Sequence, residues 1–176
     1  MKLFKVFAGI LGFILLFFLV SLLFPRTYKV ERMVMVNKPV YESYAFMSDI
    51  RNWKKWSPWN SSIDSTFYTF YTKQTNQIGA KQYIGGNLVG VGSFTITEAI
   101  SNEKISYLLS INEGYITAKA SFMFSAMNGR TKLSWVDEGD VGYNPFKRYM
   151  MSYVTGNTAK SFDEGLLAIK RAIELN

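Results

Sequence analysis

The chain has 176 residues, 48% of them hydrophobic, and a formal net charge of +7 at pH 7. It contains no His and no Cys, which excludes disulfides and the Ser-His and Cys-His nucleophile pairs and removes the commonest transition-metal ligand. The basic residues are scattered, and the sequence has no phosphate loop or dinucleotide-binding fingerprint. We therefore expect no cofactor, no metal site and no nucleic-acid partner.

An apolar segment over residues 3–24 opens the chain. Within it, Val6–Phe24 carries a single polar side chain, Ser21, and roughly 20 apolar residues are enough to cross a bilayer core about 30 Å thick. A cleaved signal peptide is the alternative. Its apolar region is usually about 7–15 residues long and ends at small residues, whereas this one ends in bulky residues before Pro25. The sequence therefore predicts an uncleaved transmembrane helix.

The predicted organisation is a single-pass membrane anchor, residues 1–25, followed by one soluble domain, residues 26–176. Two lysines precede the span, and Arg26, Lys29, Arg32 and Lys38 follow it. A simple count of these charges would keep the domain inside, but long domains cross a membrane largely regardless of charge. The simplest insertion leaves the N-terminal lysines inside, so we expect the domain on the extracytoplasmic side.

The soluble domain begins with a predicted strand, Tyr28–Val36, which Pro39 separates from a short helix, Val40–Ser48. A turn-and-helix segment with three tryptophans, Asp49–Trp59, comes next. Short strands then follow at roughly 10–14-residue spacing, separated by turn signals such as Asn128-Gly129. These strands are predicted over Phe67–Thr72, Ala80–Ile84, Val91–Ala99, Lys104–Ile111, Tyr115–Ser125 and Thr131–Asp137.

The end of the chain has a helical pattern. Pro145–Val154 predicts one helix, Thr155-Gly156 a break, and Thr158–Leu175 a second helix with Asn157 as its N-cap. The second helix carries an apolar stripe at spacings of three and four residues. A curved antiparallel sheet wrapped around one long helix buries such a stripe, so the soluble domain is predicted to be α+β.

Four segments of the soluble domain match one known family. They are the strand and turn Val30–Pro39, the tryptophan segment Ser48–Trp59, the glycine-rich strand pair Ile84–Ser93, and Gly165–Lys170 in the closing helix. In these segments and in the order of its elements, the domain resembles the helix-grip fold of the START-like, or SRPBCC, superfamily, which includes polyketide cyclase/dehydrase-like proteins. The resemblance implies a deep cavity between the sheet and the C-terminal helix. It does not imply a reaction, because one fold supports many functions.

The cavity implied by the resemblance supplies the candidate site residues. We expect an apolar or lipid-like small molecule there, lined by Trp53, Trp56, Trp59, Phe146, Met150, Phe162 and Leu166. The three tryptophans have a second interpretation, which we favour: their rings pack the short helices against one end of the sheet. The two interpretations are compatible, since one ring can do both.

Carboxylates are the remaining acid–base candidates. Asp137, Glu138 and Asp140 cluster at the end of a predicted strand, where three acids could bind a hard cation. The aspartate-rich pattern of a calcium loop is missing, so we favour a solvated turn. Glu98 is isolated in the sequence, and Asp137, Glu98 and Tyr83 are the residues whose substitution would test an enzyme role.

Three hypotheses of function follow. The first is a membrane-tethered, non-catalytic module that binds an apolar ligand. The second is an accessory subunit of a larger membrane complex, whose span docks through the small residues Ala8, Gly9 and Gly12. The third is a cyclase/dehydrase-type enzyme assisted by a carboxylate or a tyrosine. Whether the protein is an enzyme stays open at this point, and we favour a binding role.

Overall fold

The computed structural model describes residues 2–114 and 116–176. Its α-helices are α1 (Lys2–Ser21), α2 (Val40–Ser48) and α3 (Pro145–Glu174), and a short 3-10 helix, Ile50–Lys55, follows α2. The strands are β1 (Thr27–Val36), β2 (Tyr68–Tyr71), β3 (Lys81–Gly85), β4 (Gly92–Ile100), β5 (Lys104–Ile111), β6 (Ile116–Met127) and β7 (Arg130–Asp140). Tyr115, the first residue of the predicted strand Tyr115–Ser125, lies outside the described residues.

The strands form one antiparallel sheet in the order β1-β7-β6-β5-β4-β3-β2. Consecutive strands from β2 to β7 are neighbours, and β1 pairs with the last strand, so β1 and β2 form the two edges. A register shift between Ile96 and Glu98 in β4 bends the sheet further. The predicted α+β architecture, a curved antiparallel sheet around a long C-terminal helix, is confirmed.

The alternation of side chains gives the sheet two different faces. The face covered by α2, the 3-10 helix and α3, here called the inner face, includes Ile105, Phe122 and Leu133, each with 0% exposure. The opposite, outer face carries mainly polar side chains, among them Lys104 and Lys132. The hydrophobic core therefore lies between the inner face and the helices.

The C-terminal helix differs from the prediction, because α3 is one helix of 30 residues with no break at Thr155-Gly156. Its N-cap is Asn144, whose side chain accepts a hydrogen bond from the Lys147 amide at 3.1 Å, and not the predicted Asn157. A glycine inside a helix costs only about 1 kcal/mol. Packing on both sides of Gly156 offsets that cost, so the helix continues.

Helix α1 is long and apolar enough to cross a membrane, and Ser21 is its buried residue. Length and composition alone do not separate an anchor from a signal sequence. The anchor and the extracytoplasmic side therefore stay predictions.

Candidate functional site

Side-chain size and burial change along the inner face of β5, β6 and β7. One row across these strands consists of Ile105, Phe122 and Trp135, and it is closed, with exposures of 0%, 0% and 8%. On β6, Phe122 is followed on the inner face by Ala120 and then by Ala118. Side-chain size on the inner face therefore decreases from the Phe122 row toward the end of the sheet where β1 begins.

The row next to Phe122 consists of Tyr107, Ala120 and Asp137, and the row beyond it begins with Leu109 and Ala118. The first of these rows is still buried, whereas Leu109 and Ala118 are half-buried. The inner face therefore opens as its side chains become smaller. We call this small-residue part of the inner face, Ala118, Ala120 and Asp137, the inner hollow.

Helix α3 covers the Trp135 end of the closed row. The ring of Phe162 stacks on that of Trp135 with centroids 4.1 Å apart, and a Cβ atom at Gly165 would lie 2.6 Å from the Trp135 ring. A strand rises about 3.3 Å per residue and a helix about 1.5 Å, so two residues along β7 match about four along α3. This match brings the small residues Thr158 and Ala159 to the level of Asp137.

Three polar side chains lie on the wall of the inner hollow. The Trp135 indole donates a hydrogen bond to the Tyr107 hydroxyl at 3.0 Å, and the Tyr28 hydroxyl donates to Asp137 Oδ1 at 3.3 Å. Tyr28 reaches Asp137 because Gly139, its partner across the strands, leaves space: a Cβ atom there would lie 2.8 Å from the Tyr28 ring. The inner hollow therefore has an apolar floor and a polar side.

The environment of these groups changes their acidity. Burial raises the pKa of the Asp137 carboxyl, an effect that the Tyr28 hydrogen bond opposes and the nearby Glu138 charge reinforces. Burial is also the main cause of the raised pKa of Tyr28 and of Tyr107. All three groups therefore keep their protons to higher pH than usual.

The predicted solvated acidic turn is wrong. Strand β7 continues to Asp140, so alternation places Asp137 on the opposite face from Glu138 and Asp140. Asp137 faces inward with 8% exposure, Glu138 is on the outer face, and Asp140 accepts a hydrogen bond from Arg26 Nε at 2.9 Å. Among the described residues, no group of three acidic side chains is placed to hold a metal ion.

The candidate tryptophans pack mainly into the core. Trp53 is 1% exposed, donates from its indole to the Met47 carbonyl at 2.9 Å, and lies against Tyr107 at 5.1 Å between ring centroids. Trp56 is 8% exposed and packs against Trp135 at 5.6 Å. Its indole nitrogen has no hydrogen-bond partner in the part of the chain that the structure describes. Trp59 is half-buried beside Phe94.

The other four candidates divide into two pairs. Phe162 and Leu166 lie on α3 and are buried, at 7% and 2% exposure. Phe146 and Met150 are exposed, at 68% and 53%, and the Phe146 ring contacts Phe17 of α1 at 5.1 Å between centroids. The structure thus does not bring Phe146 and Met150 together with the tryptophans. A role in ligand binding stays a prediction for all seven residues.

A network of contacts joins the end of α1 to the start of α3. The buried Arg148 guanidinium donates to the Ser21 carbonyl at 3.2 Å and to the Gly142 carbonyl at 2.9 Å. The Tyr149 hydroxyl donates to the Phe17 carbonyl at 2.8 Å. The apolar helix is therefore attached to the domain by more than the intervening chain.

Sequence reasoning named Asp137 as an acid–base candidate but favoured a solvated turn for it, and it did not single out Tyr107 or Tyr28. The signal that could have placed Asp137 inside was alternation, since Leu133, Trp135 and Asp137 share one face of the predicted strand. The other two residues of the enzyme hypothesis, Glu98 and Tyr83, lie elsewhere. Glu98 pairs with Lys104 at 2.8 Å on the outer face, and Tyr83 stacks on the exposed Phe70.

A groove of about 810 Å³ lies on the outer face. Its lining is mostly serine, lysine and glutamate, and its charges pair within the wall: Lys29 with Glu31 and Lys104 with Glu98, each at 2.8 Å. Sites for apolar ligands are lined mainly by hydrophobic and aromatic side chains. The inner hollow fits that description and the outer groove does not.

Comparison with known proteins establishes the fold. No protein-family model matches the sequence, and no curated protein is significantly similar to it. Protein MLL2253 from Mesorhizobium loti aligns with a TM-score of 0.59 and 14% identity over 86% of this chain and 98% of its own. CalU16 from Micromonospora echinospora gives 0.53 and 11% over 84% and 75%, and Ara h 8.0201 gives 0.57 and 11% over 85% and 99%. The chain has a helix-grip fold.

Proposed function

We propose that the protein is a membrane-tethered, non-catalytic binding module for an apolar, lipid-like ligand, and that the inner hollow is its binding site. The observation that carries this proposal is the decrease in side-chain size and burial from Phe122 through Ala120 to Ala118. The floor of the hollow, Ala118 and Ala120 beside Leu109, is apolar, as the lining of pockets for apolar ligands usually is.

The wall indicates the chemistry of the ligand. An apolar body would lie against Leu109, Ala118 and Ala120, whereas Asp137 and Tyr107 supply polar contacts on one side only. We therefore expect a long or planar apolar molecule with one hydroxyl, carbonyl or carboxyl end.

The position of the hollow supports the link to a membrane. It opens toward the end of the sheet where β1 begins, and the short segment Leu22–Arg26 joins β1 to α1. If α1 spans the bilayer, the opening lies near the lipid surface. A ligand passing between the bilayer and the hollow would then expose little apolar area to water. Exposing apolar area to water is the main free-energy cost of moving such a molecule.

The test compares two phenylalanine substitutions on neighbouring positions of β6. Ala118→Phe fills the hollow, whereas Thr117→Phe adds the same ring to the outer face. Each full-length variant is purified in nanodiscs, exchanged into a single defined phosphatidylcholine, and analysed by native mass spectrometry. We expect a bound small molecule with the wild-type protein and with Thr117→Phe, and at least tenfold less with Ala118→Phe. Equal occupancy of the two variants, or an empty wild-type protein, would contradict the proposal.

A second candidate, an accessory subunit of a membrane complex, is supported by strand β2. This edge strand exposes Tyr68 and Phe70 at 49% and 53%, and their rings are stacked in parallel planes. A stoichiometric protein that crosslinks to the wild-type chain in mild detergent, but not to Phe70→Ser, would favour this candidate. Tyr41→Ser, at an exposed aromatic on α2, is the control.

A further inference from the structure

The start of α3 carries an exposed apolar surface, here called the α3 patch. Its members are Tyr143, Phe146, Met150, Tyr153 and Val154, with exposures of 72%, 68%, 53%, 68% and 43%. Spacings of three and four residues place most of them on one side of the helix. Single exposed hydrophobic residues are ordinary, but a contiguous group of this kind marks an interaction surface.

We propose that the α3 patch lies in the headgroup layer of the membrane, so that the domain is held against the lipid surface and does not hang free on its span. The inference rests on the proposed tether, because it takes α1 to be a transmembrane helix. It goes further by fixing the orientation of the domain.

The contacts with α1 determine the depth of the patch. The Phe146 ring lies 5.1 Å from that of Phe17, and the Tyr149 hydroxyl bonds to the Phe17 carbonyl at 2.8 Å. Phe17 is four residues before the end of α1 at Ser21, which is about 6 Å along a helix. Residues that touch Phe17 must therefore lie below the level at which α1 ends. At that level the surroundings of an apolar span are lipid.

The composition of the surface agrees with a lipid occupant. Tyrosine and phenylalanine are enriched where a membrane meets water, and cationic side chains beside them face the headgroups. Lys147 is exposed next to Phe146, and Arg26 lies over the Tyr143 ring at 5.5 Å. A protein partner would have to reach the same surface at the depth of Phe17, inside the bilayer boundary.

The absence of cysteine makes a direct test available, because any introduced cysteine is unique. Met150→Cys and Met127→Cys form a matched pair: both positions hold methionine, their exposures are 53% and 50%, and Met127 ends β6 at the opposite end of the sheet. Each full-length variant carries a nitroxide spin label in vesicles of phosphatidylcholine and phosphatidylglycerol. Collision rates with oxygen and with a water-soluble nickel chelate are then measured.

We expect the label at 150 to collide preferentially with oxygen, as in lipid, and the label at 127 to collide preferentially with the nickel chelate, as in water. A water-like label at 150 on protein that floats with the vesicles would overturn the α3 patch inference alone. Lipid-like labels at both positions would overturn it too, because the orientation would be wrong. Protein that does not float with the vesicles would overturn the tether and the inference together.

Discussion

Asp64 is a buried carboxylate, 2% exposed, that lies outside the inner hollow and holds the loop between β3 and β4. Its oxygens accept hydrogen bonds from the Thr66 amide at 2.9 Å, the Leu88 amide at 2.7 Å and the Val89 amide at 3.2 Å. The Thr66 hydroxyl also bonds to it. This hydroxyl bond, followed by the amide bonds, lowers the pKa of Asp64 to about 2. A loop that carries the exposed Leu88 is thus fixed by one charged group.

Asp64→Asn is expected to destabilise the protein at neutral pH and to remove part of its acid sensitivity. The pKa of Asp64 is lower in the folded state than its ordinary value of 3.8, so its stabilisation is complete above about pH 4 and is lost as the pH falls toward about 2. We expect Asp64→Asn to lower the melting temperature by several degrees at pH 7 and to flatten its fall below pH 4. Calorimetry across this pH range checks it, with the exposed Glu164→Gln as control. Parallel pH curves for wild type and Asp64→Asn would contradict the assignment.

The pH dependence of stability due to Asp137 has the opposite sign to that due to Asp64. Its pKa is raised in the folded state, mainly by burial, so the protonated carboxyl is favoured there. The contribution to stability is present below the ordinary value of 3.8 and is lost as the pH rises through the folded-state pKa. Asp137→Asn keeps an acceptor for the Tyr28 hydroxyl without the charge.

We expect Asp137→Asn to raise the melting temperature by a few degrees at pH 7 and to leave it nearly unchanged at pH 3. Glu138→Gln, one residue along β7 on the outer face, is the control and should not raise the melting temperature at pH 7. If the hollow binds the polar end of a ligand through Asp137, native mass spectrometry should also show a changed occupancy with Asp137→Asn only. A destabilised Asp137→Asn at pH 7 would show that the buried charge is well solvated.

Within α3, two glycines are expected to respond in opposite directions to the same substitution. A Cβ atom at Gly156 meets nothing within 4 Å, so Gly156→Ala should stabilise the protein by roughly 0.5–1 kcal/mol through helix propensity. A Cβ atom at Gly165 would lie 2.6 Å from the Trp135 ring, which Phe162 and Phe122 hold in place. Overpacking there should destabilise by about 1–3 kcal/mol. Urea unfolding measures both values, and equal effects would contradict the tight contact between α3 and β7.

Much of the element order could be predicted from the sequence, because hydrophobic periodicity and turn residues are local signals. The β5 strand, Lys104–Ile111, and helix α2 have the predicted bounds. The break at Gly156 was wrong, since its cost is small beside the packing on either side, and packing is not visible in a local pattern. The end of β7 was placed three residues early because three acidic residues resemble a turn.

The candidate site was less predictable, because it depends on which residues of distant strands are neighbours. Phe162 and Leu166 were found from a helical stripe, and their burial follows from it. Tyr28 and Tyr107 are ordinary strand residues in the sequence, and only the fold brings the Tyr28 hydroxyl to Asp137 and the Tyr107 hydroxyl to the Trp135 indole. Phe146 was expected near the tryptophans, but its contact with Phe17 requires knowing that α1 and α3 meet.

The whole molecule is organised around one joint between the apolar helix and the domain. Arg148 is 5% exposed, and its guanidinium bonds to the Ser21 carbonyl at the end of α1 and to the Gly142 carbonyl before α3. A positive charge at the C-terminal end of a helix also interacts favourably with the helix dipole. The joint therefore orients the inner hollow, the α3 patch and α1 relative to one another.

Arg148→Met is expected to loosen this joint without unfolding the sheet. It keeps the apolar stem but removes two hydrogen bonds from a charged donor, each worth about 1.5–3 kcal/mol. Amide exchange should become at least tenfold faster in residues 22–26 and 141–146, as measured by mass spectrometry on full-length protein in nanodiscs, and stay unchanged in β5 and β6. Lys147→Met, an exposed neighbour, is the control. If the joint keeps the hollow at the lipid surface, uptake of a lipid-like ligand from donor vesicles should slow with Arg148→Met while the occupancy reached at equilibrium stays the same. Unchanged exchange at the joint would show that Phe17, Phe146 and Tyr149 hold it without the guanidinium.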